Sequence, residues 1–153
     1  ITSFESVPEL RTYFIRWLHD HELHPEVQKI YDEVLTSVLN NCELQPAALK
    51  QELKKHFRTE NDLCGSLNVQ FQLSEQYHCI LYDAFSSKTT PHLWDESFLN
   101  DFLKEAAANS CVLSTYACRG SLKRALAAQG FEVIVREGFQ SKRNSTLAKK
   151  NLT

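Results

Sequence analysis

A short apolar run that ends in an acid constrains the fold most: residues 78–82 read His-Cys-Ile-Leu-Tyr, and Asp83 follows. A nearly continuous apolar run of this length is typical of a parallel strand that is buried on both faces. The run therefore predicts a strand in the middle of a sheet. Ligands of such sheets bind outside the carboxyl ends of the strands, so Asp83 is a candidate functional residue.

Helical and extended patterns alternate along the rest of the chain. Helices are predicted to begin near Pro8, with Ser6 as the cap, and near Pro25 and Pro46. Strands alternating with helices imply right-handed crossovers and a mostly parallel α/β sheet with helices on both faces. The other predicted helices cover residues 96–107, capped by Asp95, and 120–128, ended by Gly130; the other strands cover 1–4, 67–73 at an edge, 111–116, 131–135 and 146–148.

Size and composition predict one domain over residues 1–153. Hydrophobic residues make up 42% and charged residues 24% of the 153, which is the balance of a globular protein. The five cysteines include no Cys-x-x-Cys pair and the chain shows no leader pattern, so we expect reduced thiols and a cytoplasmic location. The chain opens on a predicted strand and has no methionine, which indicates a fragment. We do not expect it to bind a membrane.

Charge is distributed unevenly. Residues 1–118 hold 9 Lys and Arg against 17 Asp and Glu, whereas residues 119–153 hold 8 against 2, a local balance of +6. This basic end is either a phosphate-binding surface or a solvated tail. No metal site is predicted, because the histidines of the one cluster, His19, His21 and His24, diverge around a helix.

One segment resembles a known family. Residues 81–94, Leu-Tyr-Asp-Ala-Phe-Ser-Ser-Lys-Thr-Thr-Pro-His-Leu-Trp, are similar to the signature Asp-Ala/Gly-Phe-Ser/Ala-Pro…Asn-Pro-x-Leu/Met-Trp. That signature belongs to the S-adenosylmethionine-dependent methyltransferase domain of the bacterial bifunctional enzyme that makes 5-methylaminomethyl-2-thiouridine at the tRNA wobble position, and to its stand-alone relatives. Further matches follow in order at Ser114-Thr115-Tyr116, Gly120, residues 123–126, Gly130-Phe131, Gly138-Phe139 and Lys142-Arg143, with Phe4-Glu5-Ser6-x-Pro8 upstream.

The chain also departs from this family's pattern. It begins at what resembles the second strand, so the family's first strand and its glycine-rich cofactor loop have no counterpart among the four scattered glycines. Ser87 replaces the signature proline, Thr90 replaces the asparagine, and residues 108–110 read Ala-Asn-Ser in place of Pro-Gly-Gly. The resemblance therefore implies a Rossmann-like methyltransferase sheet that is incomplete at its first strand.

The resemblance implies a chemistry with named residues. The reaction is methyl transfer from S-adenosylmethionine to an amine of a modified wobble uridine in tRNA, with Asp83 orienting the amine and taking its proton. Glu5 would accept hydrogen bonds from the cofactor's ribose, and Asp62 would contact the adenine if its loop follows a third strand. The residues assigned to substrate are Phe85 and Trp94 as pocket walls or core, and Arg124, Lys142 and Arg143 at tRNA phosphates.

Two alternatives to tRNA methylation stay open. The chain is either a non-catalytic remnant that binds a partner through an uncovered sheet face, or a methyltransferase whose acceptor is not RNA. The resemblance also implies an oxidase partner, fused or separate. The oligomeric state has no signal in the sequence.

Overall fold

The computed structural model describes residues 1–40, 45–84, 88–137 and 144–152. They form two compact units, Ile1–Leu67 and Asn68–Thr153, and each unit is described by itself. The single partial domain over residues 1–153 stays a prediction.

The first unit is built on three helices: α1 (Pro8–Leu18), α2 (Pro25–Leu39) and α3 (Pro46–His56). Each begins at a proline, whose preset φ suits a first turn and whose missing N–H is not needed there. The three predicted helix starts are therefore confirmed. The predicted Ser6 cap is wrong, because Val7 occupies the cap position and its N–H donates to the Glu5 carboxylate at 2.8 Å.

Trp17 of α1 organises the core of the first unit. Its ring stacks on Tyr31 at 5.3 Å between centroids, and its indole N–H donates to Asp32 at 2.9 Å. That hydrogen bond favours the charged carboxylate and lowers the pKa of Asp32. The other buried members are Ile15, Leu18, Phe57 and Leu63.

The strand predicted over residues 1–4 is present only as a single parallel bridge between Phe4 and Cys64. The Cys64 N–H donates to the Ser3 carbonyl at 2.8 Å, and the Glu5 N–H donates to the Cys64 carbonyl at 2.9 Å. Two bonds fix the direction of this pairing and place Glu5 directly after it.

The second unit is a four-stranded sheet of β1 (Tyr77–Leu81), β2 (Ala107–Thr115), β3 (Glu132–Glu137) and β4 (Asn144–Lys150), in the order β1-β2-β4-β3. β1 pairs with β2 in parallel, and β4 runs antiparallel to both of its neighbours. Three of the four strands therefore run in one direction. The sheet is mixed, with one parallel and two antiparallel pairings among the described strands, so the predicted mostly parallel pairing is corrected, whereas the incomplete Rossmann-like α/β class is confirmed.

Two helices of the second unit connect its strands: α4 (Glu96–Ala106) and α5 (Gly120–Ala128). They contact each other, and Phe102 of α4 packs on Tyr82 at 5.4 Å. Helical cover on both faces of the sheet stays a prediction. Gly130 ends α5 with φ +79°, as predicted from a residue that tolerates the left-handed region. The fully buried core residues include Leu99, Leu103, Cys111, Leu113, Leu122, Leu126 and Thr146.

Two strand predictions are corrected. β1 forms an edge of the described sheet rather than its middle, and the side chain of Leu81 is 77% exposed. The alternating residues 67–73 form no strand. Their polar positions make a turn instead, because the Asn68 side chain accepts the Gln70 N–H at 2.8 Å and the Asn68 carbonyl accepts the Phe71 N–H at 3.1 Å.

Candidate active site

The carboxyl ends of β1 and β2 lie at the same edge of the sheet because the two strands are parallel. Leu81 is the last residue of β1 and pairs with Ser114, and the Tyr82 N–H then donates to the Ser114 carbonyl at 2.9 Å. Asp83 is the first residue beyond this ladder, and it is exposed. The structure therefore places Asp83 at the strand end that the sequence predicted.

Tyr82 anchors the chain immediately before Asp83. Its hydroxyl donates to the Leu93 carbonyl at 2.6 Å, and its ring meets the ring of Trp94 edge-on at 5.4 Å. Burial disfavours the phenolate and raises the pKa of Tyr82 well above its usual value. The hydroxyl therefore stays a hydrogen-bond donor, and the backbone before Asp83 is held in place.

Tyr116 is a residue of the site to which the sequence assigned no role. It follows β2 directly, and its hydroxyl donates to the carbonyl of Ala84 at 2.6 Å. The only sequence signal was its place in the Ser-Thr-Tyr element after a predicted buried strand. Nothing in that signal says which backbone group the hydroxyl reaches, because Ala84 is 32 residues away.

Trp94 lies in the core of the second unit. Its side chain is 4% exposed, and the Arg119 guanidinium carbon lies 5.5 Å above its ring. These contacts favour the core-packing alternative of the two that the sequence left open. Phe85, the other predicted pocket wall, falls outside the described residues.

Glu5 retains the chemistry that ribose binding needs. One carboxylate oxygen accepts the Val7 N–H at 2.8 Å. A carboxylate offers about four lone-pair positions, so acceptor capacity is left for ribose hydroxyl groups. The residue also follows the Phe4–Cys64 parallel bridge, at the carboxyl end of that pairing.

Asp62 does not meet the condition set for an adenine contact. It closes a single-turn 3-10 helix, Glu60–Asp62, and precedes the Cys64 bridge rather than following it. Its Oδ2 accepts the backbone N–H groups of Arg58 and Thr59, each at 2.8 Å. These two bonds lower the pKa of Asp62 and commit its Oδ2 to a local cap.

Arg124 is the described member of the predicted phosphate-binding group. Its side chain is 64% exposed, and its Nε donates to the Glu96 carboxylate of α4 at 2.6 Å. The pair is worth little in water, since exposed ion pairs contribute at most about 1 kcal/mol. Lys142 and Arg143 fall outside the described residues.

The described residues contain no group of three potential metal ligands. In the histidine cluster, the His19 Nε2 lies 2.8 Å from the Phe57 carbonyl, so this ring joins the residue after α1 to the residue after α3. Cys64, Cys79, Cys111 and Cys118 are free thiols. Across the described ranges, no helix has both the length and the apolar character that crossing a bilayer requires.

An incomplete Rossmann-like sheet with an exposed acid after a parallel strand is typical of α/β proteins that bind ligands at the carboxyl ends of their strands. Residues 21–151 match the model of the S-adenosyl-L-methionine-dependent methyltransferase family, and the chain belongs to that family. The match confirms the recognition made from the sequence, the methyltransferase class of enzyme and S-adenosylmethionine as the cofactor.

Curated relatives cover part of the chain at modest identity. The tRNA 5-methylaminomethyl-2-thiouridine biosynthesis bifunctional protein MnmC of Hahella chejuensis is 37% identical over 65 residues, which are 42% of this chain and 10% of the relative. MnmC of Legionella pneumophila (strain Lens) is 30% identical over 86 residues, or 56% of this chain and 13% of the relative. An uncharacterized protein of Methanocaldococcus jannaschii is 35% identical over 77 residues, or 50% and 21%. The chain thus spans about a tenth of the bifunctional relatives that it matches.

Proposed function

We propose that the chain transfers a methyl group to an amine of a modified wobble uridine in tRNA. The observation that carries the proposal is the exposed Asp83 at the end of β1, in a chain of the methyltransferase family whose relatives are named for tRNA 5-methylaminomethyl-2-thiouridine biosynthesis. The word "bifunctional" in those names supports a second, fused or separate activity, for which the resemblance implies an oxidase.

Asp83 performs the proton chemistry in this proposal. S-adenosylmethionine supplies a methyl group on a sulfonium. An amine attacks only as the neutral base, because a protonated amine has no lone pair. The Asp83 carboxylate accepts a hydrogen bond from the amine, directs its lone pair and takes up the proton that methylation releases.

Glu5 holds the ribose in the same proposal, through the carboxylate oxygens that the Val7 N–H leaves unoccupied. Asp62 is not proposed as a cofactor ligand, because it precedes the Cys64 bridge instead of following a strand. Trp94 has a packing role in this proposal, because its ring contacts the ring of Tyr82, the residue before Asp83.

Phosphates of the tRNA are bound by the basic end of the chain, residues 119–153, whose local balance is +6. Arg124 contributes by exchanging its Glu96 partner for a phosphate, an exchange that costs little because the pair is solvent-exposed. Lys142 and Arg143 are proposed for the same surface from the sequence alone.

Methyl transfer is tested with the full chain, methyl-tritiated S-adenosylmethionine and tRNA from cells whose bifunctional relative has lost its methyltransferase activity but keeps its second activity. We expect label to enter this tRNA, and nucleoside digestion to place it on the modified wobble uridine. Fully modified tRNA is the control and takes up no label. Label on a small amine or a protein, with none on tRNA, would select the non-RNA acceptor.

The partner-binding alternative is favoured by one observation, the exposure of Leu81 on β1 at the sheet edge. Mass action separates it from the enzyme: a cofactor present at 100 times its Kd stabilises the folded state by about 2.7 kcal/mol. A melting temperature that S-adenosylmethionine leaves unchanged, together with no label transfer, would select the non-catalytic alternative.

We expect Arg124→Ala to weaken tRNA binding equally for all sequences and to reduce the slope of log K against log salt by about one, because one phosphate contact is lost. The measurement is a salt titration of tRNA affinity. Lys29→Ala is the matched control, since Lys29 is also an exposed cation beside an acid, Glu33, but lies outside the basic end. Equal slopes for the two variants would remove Arg124 from the interface.

A further inference from the structure

The end of β2 holds the backbone on both sides of Asp83. The Ser114 carbonyl accepts the Tyr82 N–H at 2.9 Å, before Asp83, and the Tyr116 hydroxyl donates to the Ala84 carbonyl at 2.6 Å, after it. The backbone ladder between β1 and β2 stops at Tyr82. Beyond Tyr82, the Tyr116 side chain therefore takes over from the backbone hydrogen bonds in holding this segment to the end of β2.

The geometry of this contact suits a positioning role. A hydroxyl-to-carbonyl distance of 2.6 Å lies at the short end of the range for O–H···O hydrogen bonds. Tyr116 is the first residue after β2, and the residue before it, Thr115, still pairs with Thr146 of β4. The bond therefore ties the exposed segment after β1 to a rigid element.

We propose that Tyr116 is a positioning residue for Asp83. By fixing the Ala84 carbonyl, it limits the backbone rotations on either side of Asp83 and so confines the directions in which the carboxylate can point. Preorganised geometry of this kind matters in methyl transfer, since the acceptor must approach along the line of the bond that breaks. The role in turnover rests on the proposed function, whereas the backbone attachment does not.

Tyr116→Phe removes a single oxygen atom and leaves the ring. We expect kcat for methyl transfer to fall by roughly three- to tenfold, the effect of one hydrogen bond, while the KM for S-adenosylmethionine stays unchanged. Tyr13→Phe is the matched control, because Tyr13 is equally exposed, at 37% against 39% for Tyr116, and lies on α1.

Amide hydrogen exchange at Tyr82, whose N–H donates to the Ser114 carbonyl where the ladder ends, tests the attachment by NMR without any catalysis. We expect exchange at this amide to accelerate by roughly three- to tenfold in Tyr116→Phe and to stay the same in Tyr13→Phe. An active chain whose Tyr116→Phe variant keeps its kcat, or raises KM instead, overturns the proposal.

A chain that methylates nothing would contradict the proposed function. In that case, amide exchange alone tests whether Tyr116 holds the backbone around Asp83. Faster exchange in Tyr116→Phe would still support its hold on the Asp83 backbone. Unchanged exchange would overturn that hold as well.

Discussion

We expect Asp83→Asn to lower kcat for methyl transfer to tRNA by about 10²–10⁴-fold, the usual contribution of a general base. Asparagine has nearly the same shape as aspartate and still offers an oxygen to the amine, but it does not take up a proton at neutral pH. Asp83 is exposed and lies beyond the β1 ladder, so the fold does not depend on its charge. The measurement is single-turnover label transfer at saturating cofactor.

Asp101→Asn is the matched control for this variant. Asp101 is an exposed acid of α4 in the same unit, so the substitution removes the same charge at a position with no proposed role. We expect it to leave kcat and the melting temperature unchanged. Wild-type turnover in Asp83→Asn, or an equal loss in both variants, would remove Asp83 from the mechanism.

We expect Leu113→Ala to destabilise the second unit by about 2–5 kcal/mol. Leu113 has no exposed surface, and its register partners on the two sides are Ile80 of β1 and Ala148 of β4. The substitution leaves a cavity in a fully buried position and removes the van der Waals contacts that the larger side chain makes there. Urea unfolding of the full chain measures the loss.

The two tryptophans of the chain allow the second unit to be followed separately. Trp94 lies in the second unit and Trp17 in the first, and both are buried. In a Trp17→Phe background, the fluorescence of Trp94 reports the second unit alone. Val112→Ala is the control, because Val112 is only half-buried and should cost less than Leu113. Equal losses would mean that Leu113 does not lie at the centre of this core.

Elements with strong local signals could be predicted from the sequence. The helix starts at Pro8, Pro25 and Pro46 follow from the geometry of proline itself, and the end of α5 follows from Gly130. These signals depend on the φ angle of one residue and need no partner elsewhere in the chain. The apolar run of β2 also predicted a strand over residues 111–116, but the strand begins earlier, at Ala107.

Elements that depend on pairing could not be predicted in this way. The alternation over residues 67–73 satisfies a strand pattern, yet the Asn68 side chain and carbonyl stabilise a turn there. The apolar run of β1 predicted a central strand, yet β2 is its one neighbour among the described strands. The pattern of apolar residues in a strand indicates which of its faces are buried, but it does not indicate which other strand pairs with it.

The sequence by itself determined the methyltransferase family, the order of strands and helices around Asp83 and the strand end at which that acid lies, because all of these depend on neighbouring residues. Only the tertiary structure decided that Asp62 is committed to a local cap, that Trp94 is buried and that Tyr116 reaches Ala84. These contacts join backbone groups and side chains through turns and across strands. Distances between such atoms are set by how the chain folds back on itself, and residue types alone do not specify them.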